Sequence, residues 1–395
     1  MGERMRRILL VLAIVVVGTA GAVTAATAAG RGPGDSGGGP LAILGPKAAV
    51  TYTPAADATG ANPATAASAK VDEGTFDQVS LVDGAGKAVK GELAADKKSW
   101  TTTAPLDYAT SYTWKGSATG TDGKQVPLAG GFATLKPAKQ VRGTLNIGDG
   151  RTVGIAAPIQ IQFNSHVTDR AAAEKALSVT TSTPTEGAWG WLPDENGGSR
   201  VHWRPKEYWK PGTKVTVKAN LFGVDYGGGN YGASNVSSTF TIGRAQIVKA
   251  DVNSFQMVVM RDGKQVASYP ASYGLGSDPN RNTRSGVHVV SEKFTDKRMV
   301  SEQYGYDVVE KWAVRISNNG EFIHANPASS GAQGSSNVTH GCVNLSIDNA
   351  KAYYDTAIYG DPVEVTGTPV QLSAKDGDIW DWTLNWNQWK ALSAL

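Results

Sequence analysis

The only cysteine in the chain, Cys342, sits in the run Ser335-Ser336-Asn337-Val338-Thr339-His340-Gly341-Cys342-Val343-Asn344-Leu345-Ser346. A thiol attacks carbon as the thiolate, and a nearby imidazole makes that form accessible at neutral pH. His340 can share a strand face with the thiol, because alternate residues of an extended run point the same way. Gly341 between them lets a substrate approach the backbone closely, with main-chain N–H groups free to meet a carbonyl oxygen. Upstream lies a second imidazole, His324, in Phe322-Ile323-His324-Ala325-Asn326. Two of the five histidines therefore share one short segment with the only cysteine, which is the constellation of an activated thiol nucleophile. The plainer alternatives are an inert buried thiol and histidines that only brace a loop. The polar, histidine-rich surroundings favour chemistry, because reactive thiols need such a setting. A zinc site built from His324, His340 and Cys342 lacks a fourth ligand, and no metal or other cofactor is expected. His166, His202 and His288 have no such company and read as ordinary residues.

These groups stand in a chain whose start carries a targeting signal. Arg4, Arg6 and Arg7 precede an uncharged, mostly apolar run from Ile8 to Ala29. Basic flanks stay on the cytoplasmic side, so the remainder is expected outside, on the cell-wall side. The run is just long enough to span a bilayer, which gives an anchor in the membrane; Ala26-Thr27-Ala28 offers a cleavage site, which gives a secreted chain. Both stay open. In an exported protein one unpaired thiol is a small buried group or a thiol kept free to react. Residues 1–30 are thus assigned to a signal or membrane anchor, and residues 31–40, rich in Gly and Pro, to a flexible linker.

The elements that must position the site are strands. The chain has 395 residues, too many for one ordinary core. Hydrophobic residues at 41% and charged residues at 18% give a globular balance, and 47 glycines with 11 tryptophans and 13 tyrosines favour β-rich domains. The formal net charge is +3 with no basic stripe, which argues against nucleic acid as a partner. From 41 to 137, short alternating segments such as Val79-Ser80-Leu81-Val82 end in turn signals such as Asp83-Gly84, predicting a small antiparallel sandwich. Residues 138–243 read as a second one, with the half-buried strand Ile159-Gln160-Ile161-Gln162-Phe163 and a short helix over Ala171–Leu177. From 244 to 367 the pattern changes. A hairpin turns at Asp262-Gly263, strands are expected around Val287 and Val314, and Ser346 caps a helix predicted to run to Ile358. Residues 368–395 form an extension with Trp380, Trp382, Trp386 and Trp389, a spacing more typical of a packed clasp than of a sugar site.

At this point the run through His340-Gly341-Cys342 resembles the active-site signature of the L,D-transpeptidase (YkuD-like) catalytic domain. The match spans roughly residues 245–367 and includes His324 and the helix bearing Asn349-Ala350-Lys351. The two preceding modules are similar to the immunoglobulin-like domains of actinobacterial members, with Trp203-Arg204-Pro205 and Pro211-Gly212-Thr213 as their trace. The tail is similar to an extension that packs on the catalytic domain of mycobacterial enzymes. The resemblance thus implies a mainly β chain: two immunoglobulin-like β-sandwiches, then a β-rich catalytic domain with a short helix and a Trp-rich extension.

The resemblance also implies roles. Cys342 would attack a tetrapeptide stem of peptidoglycan, release the terminal D-alanine and pass the acyl group to an amine of a second stem, forming a 3-3 cross-link. His324 would be the general base, oriented through the backbone carbonyl of Ala325, where mycobacterial members have serine. His340, Gly341 and the Cys342 N–H would shape an oxyanion hole, and Asn344 would brace the loop. Met299 and Tyr304 fall where a lid lines the cleft; between Tyr304 and Trp312 the chain is shorter than in mycobacterial enzymes, and a further lid tyrosine has no counterpart unless Tyr306 serves. Carbapenem-type β-lactams are the expected inhibitors. Two other readings compete. A cysteine peptidase of the NlpC/P60 kind places Cys before His, opposite to the order here. A wall-binding scaffold without activity does not need an intact Cys-His pair.

Overall fold

The computed structural model describes residues 45–374 and 379–395, so the leader and linker assigned to 1–40 lie outside the described residues. Among the described residues no helix is long and apolar enough to cross a membrane.

The first module pairs two sheets. One orders the strands Ala49–Thr53, Ser68–Asp72, Ser99–Thr102 and Gly91–Leu93, and the other is built on Gly74–Asp83 and Ser111–Gly120. Alternation puts Phe76, Leu81, Trp100, Tyr112 and Trp114 between them, with Trp100 edge-on to Trp114 at 5.4 Å. The second module repeats the plan with its own core. Ile159, Ile161 and Phe163 point inward while Gln160 and Gln162 do not, and Trp191, Trp203, Trp209 and Phe240 share that core. Its helix covers Arg170–Lys175, capped by Asp169, whose carboxylate accepts from Ala172 N at 2.9 Å. It stops short of the predicted Leu177, which is already in the strand Leu177–Thr181. The modules meet through Tyr108, whose hydroxyl donates to Gly232 O at 2.7 Å and whose ring lies 5.0 Å from Phe222.

The third region consists of β1 (Gln246–Asp251), β2 (Gln256–Arg261), β3 (Lys264–Pro270), β4 (Gly286–Val289), β5 (Glu292–Ser301), β6 (Tyr306–Arg315), β7 (Phe322–Ala325), β8 (Val343–Leu345), α1 (Ile347–Thr356) and β9 (Pro362–Thr366). Sheet one runs β3-β2-β1-β9-β4, and sheet two β5-β6-β7-β8. Asp262 and Gly263 both hold positive φ, 49° and 78°, as the two-residue turn between β2 and β3 requires. Val248, Met257, Val314, Ile323, Val343 and Tyr353 form the core. Ser346 caps α1 by accepting from Asn349 N at 3.2 Å, and the helix ends at Thr356, two residues before the predicted end. Beyond it the buried Asp361 accepts two bonds from Arg244, at 2.9 and 2.7 Å, tying the start of this region to β9.

The extension packs on the catalytic domain and, in addition, on the second sandwich. Its start pairs with the backbone of Ser285, which donates to Val370 O and accepts from Leu372 N, each at 2.8 Å. The extension also touches the catalytic sheets where Ile379 meets Val289 and where Asp381–Thr383 lies beside Gly286–Val289. Its tryptophans go to the second sandwich. Trp382, Trp386 and Trp389 surround the Arg204 guanidinium at 4.6, 5.5 and 5.0 Å, and Trp389 Nε1 donates to Ala188 O at 2.9 Å. His202 Nδ1 lies 2.9 Å from Asp381 Oδ1, both side chains fully enclosed. The physical reason is supply: the second sandwich presents a buried cation that needs aromatic faces and an acid.

Candidate active site

Strand pairing brings the two chemical residues together. β7 and β8 run parallel with His324 opposite Asn344, so the loop ending in Cys342 arrives beside the histidine. That loop is held on its other side by the segment preceding β4. Ser272 and Asn344 exchange backbone bonds at 3.0 and 2.9 Å, and Thr339 N donates to Tyr273 O at 3.0 Å. Arg281 Nε donates to Thr339 O at 3.0 Å. Thr283 Oγ1 donates to Gly341 O and Thr339 Oγ1 to Cys342 O, each at 2.9 Å. Both carbonyls flanking the nucleophile are therefore fixed, whereas the N–H groups of Gly341 and Cys342 donate to no acceptor among the described residues. Gly341 holds φ at 116°, a conformation that side chains disfavour.

His324 is 3% exposed, and its Nδ1 lies 2.8 Å from Ala325 O. A carbonyl can only accept, so Nδ1 carries the proton and Nε2 is left for the thiol. Burial alone would hold the imidazole low. The hydrogen bond and charge of Cys342, the Glu310 carboxylate and the Ala325 carbonyl outweigh it and push the ring up to about 10. Glu310 Oε2 lies 3.7 Å from Nδ1, too far for a hydrogen bond, so it acts through its charge. Cys342 is partly exposed, its Sγ 3.6 Å from Gly320 O.

The β5–β6 hairpin forms the wall of a cleft of about 300 Å³. Met299, Tyr306, Val308 and Glu310 line it from the hairpin, and His324, Cys342 and Asn344 from the floor. A second hollow of about 570 Å³ opens on the other side of Cys342 and shares Met299, Tyr306 and His340 with the first while adding Tyr304. Tyr304 and Tyr306 lay their rings on His340 at 4.6 and 5.2 Å. Burial, with Arg281 nearby, lowers the His340 imidazole, which stays neutral and serves the tyrosines as a platform. Burial and the neighbouring Cys342 charge raise Tyr306, keeping it a phenol. Asn344 braces the loop through its main chain; its side-chain Oδ1 is buried without a partner and the residue lines the cleft.

All nine residues picked from the sequence (Cys342, His324, His340, Gly341, Asn344, Ala325, Met299, Tyr304 and Tyr306) thus lie in or against one pair of hollows. Sequence reasoning missed Glu310, Thr283, Thr339 and Arg281. For Glu310 a signal existed: Tyr306, Val308 and Glu310 alternate along β6 and share the cleft face. The threonines and Arg281 give none, because their partners are main-chain carbonyls that a sequence does not display.

Comparison with known proteins agrees with this architecture. A profile described as a bacterial Ig domain matches residues 58–225, and the L,D-transpeptidase catalytic domain (YkuD) matches residues 245–365. L,D-transpeptidase 5 of Mycobacterium tuberculosis is 52% identical over 351 residues, covering 89% of this chain and 78% of that protein. L,D-transpeptidase 2 of the same species is 37% identical, covering 99% of this chain and 96% of that protein. A solved L,D-transpeptidase structure in complex with imipenem aligns at 32% identity and a TM-score of 0.49, over 58% of this chain and 100% of that one. With 52% and 37% identity across most of both chains, this chain belongs to the L,D-transpeptidases, the cysteine acyltransferases of peptidoglycan.

Proposed function

We propose that Cys342 is the nucleophile and His324 the general base of 3-3 cross-link formation. The observation that carries this is the bond from His324 Nδ1 to Ala325 O, which selects the tautomer that leaves Nε2 for the thiol in the same cleft. The thiolate attacks the carbonyl between the third and fourth residues of a tetrapeptide stem, and the carbonyl oxygen becomes an oxyanion. The unengaged N–H groups of Gly341 and Cys342 are its natural donors. Collapse breaks the amide, His324 gives its proton to the leaving D-alanine nitrogen, and a thioester remains. A stem amine entering from the other hollow then loses its proton to His324 and displaces sulfur, restoring the thiol. The two hollows meeting at Cys342 give donor and acceptor separate approaches, and the tyrosines over His340 keep water from competing.

The same reading takes in the carbapenems, since a strained lactam presents the thiolate with the same acyl chemistry. It divides the chain into an anchor or signal over 1–30, a linker, sandwiches over 41–137 and 138–243, a catalytic domain over 244–367 and a clasp. The sandwiches act as spacers that hold the catalytic domain out from the membrane face toward the wall. The test is the intact mass of the region from residue 41 onward after incubation with a carbapenem. A single stable adduct that disappears in Cys342→Ala is the expected result. An undiminished adduct in that variant overturns the nucleophile, and no adduct on a folded wild-type protein with a titratable thiol favours the scaffold.

A further inference from the structure

Glu310 is the one carboxylate among the residues lining the cleft that holds His324 and Cys342. Its side chain is 15% exposed, and its Oε2 stands 3.7 Å from a nitrogen that already donates to Ala325 O at 2.8 Å. One N–H thus faces two acceptors, the carbonyl in a hydrogen bond and the carboxylate at charge-contact distance. A neutral imidazole gains little from the second; an imidazolium gains a counter-charge. The lysines nearest along the hairpin are turned elsewhere. Lys297, the register partner of Glu310 on β5, holds its ammonium over Phe294 and Phe322 at 4.5 and 5.9 Å. Lys311 pairs with Asp296 at 3.0 Å. Tyr306 is a neutral phenol and His340 a neutral imidazole beside Arg281, and Tyr304 lies over that imidazole. The other charged groups around Cys342 line the second hollow and are paired among themselves or with the hairpin: Arg284 with Glu321, Arg298 with Asp307 and Arg315 with Glu292. Trp312, two residues along β6, holds φ at 56°, unusual for so bulky a residue, and the alternation that aims Glu310 into the cleft stops there, with Ala313 and Val314 both buried.

Resting on the reading of Cys342 as nucleophile and His324 as base, we propose that Glu310 is a positioning residue that holds this pair in its charged form. When the thiol passes its proton to Nε2, sulfur keeps the bonding electrons and becomes an anion. The ring becomes a cation balanced by sulfur on one side and Glu310 on the other. The proton count of the site does not change, so the carboxylate selects between two arrangements of the same protons. In the second half-reaction the same anion makes Nε2 a better acceptor for the proton of the incoming amine, whose nitrogen lone pair then attacks the thioester carbonyl.

Because the chain has a single cysteine, the ultraviolet thiolate band reports Cys342 alone once a Cys342→Ala blank is subtracted. Removing the carboxylate charge at this distance in Glu310→Gln is expected to move the proton exchange between sulfur and Nε2 about tenfold toward thiol and neutral imidazole, read as a smaller thiolate band at neutral pH. The turnover number for a tetrapeptide stem falls with the band, by up to about tenfold, since one unit of differential stabilisation is a factor of ten in the ratio of the two forms. KM stays put, and Glu310→Asp recovers part of both effects. An unchanged thiolate band in a folded Glu310→Gln protein overturns the inference. So does a raised KM with turnover unchanged, which makes Glu310 a binder of a substrate amine. Failure of the underlying reading looks different, with His324→Ala retaining wild-type acylation.

Discussion

Replacing Thr283 by valine tests how the nucleophile is held. The side chain is fully buried and valine has nearly its shape, so packing survives while two hydrogen bonds are lost. The Thr283 hydroxyl accepts from Gly274 N at 2.9 Å and donates to Gly341 O at 2.9 Å. Valine leaves a buried N–H and a buried C=O unpaired, each costing about 1–3 kcal/mol, hence about 2–6 kcal/mol if nothing relaxes. The carbonyl set free belongs to the residue before Cys342, so relaxation there moves the sulfur. A displacement of about 1 Å at a reacting atom costs on the order of a hundredfold in rate. Urea unfolding followed by tryptophan fluorescence reads the first effect, and stopped-flow acylation by a carbapenem reads the second. Thr283→Ser, which keeps the hydroxyl, should recover most of both. A Thr283→Val enzyme with wild-type stability and acylation would refute the claim that this hydroxyl pins the loop.

Three further outcomes are expected. His324→Ala suppresses acylation more than His340→Ala does, because His340 touches the tyrosines and not the proton transfer; equal losses in stopped flow would reverse the assignment of the base. Acylation by a tetrapeptide stem declines as pH rises through about 10, the value to which the His324 ring is pushed. The sign follows from a raised group: the imidazolium that protonates the leaving amine prevails below that pH and is lost above it, and a decline centred near neutrality would contradict it. Trp389→Ala removes a fully buried ring and its bond to Ala188 O, destabilising the protein by about 3–5 kcal/mol in chemical unfolding. The protein that stays folded should still react at Cys342 at the wild-type rate, since the ring lies against the second sandwich.

The chemistry was legible because it is concentrated. A lone cysteine, two histidines and a glycine in one short run leave few alternatives, and the parallel pairing of β7 with β8 realises what that run suggests. The hairpin at Asp262-Gly263 and the alternation at Ile159–Phe163 are local signals, and local signals survive into the fold. Glu310 was lost because one acid in a hairpin reads as a solvated charge until its face is known. Thr283 and Gly341 stand 58 residues apart, and no pattern in either neighbourhood announces the bond. His202 looked ordinary for the same reason, its partner Asp381 being 179 residues away. Helix ends slipped by one or two residues because a strand start at Leu177 and a turn before Asp361 compete for the last turn.

The clasp around Arg204 also has a meaning in time. Synthesis runs from the N-terminus, and a domain generally folds as its own chain emerges. The second sandwich is complete in sequence well before Asp381 and Trp389 exist, so it must first fold with His202 and Arg204 lacking the groups that enclose them. Glu174, which accepts from Ala394 N at 2.8 Å, waits longer still. Until residues 381–394 arrive, a cation, an acid and an apolar face therefore stay uncovered at the surface of the middle domain.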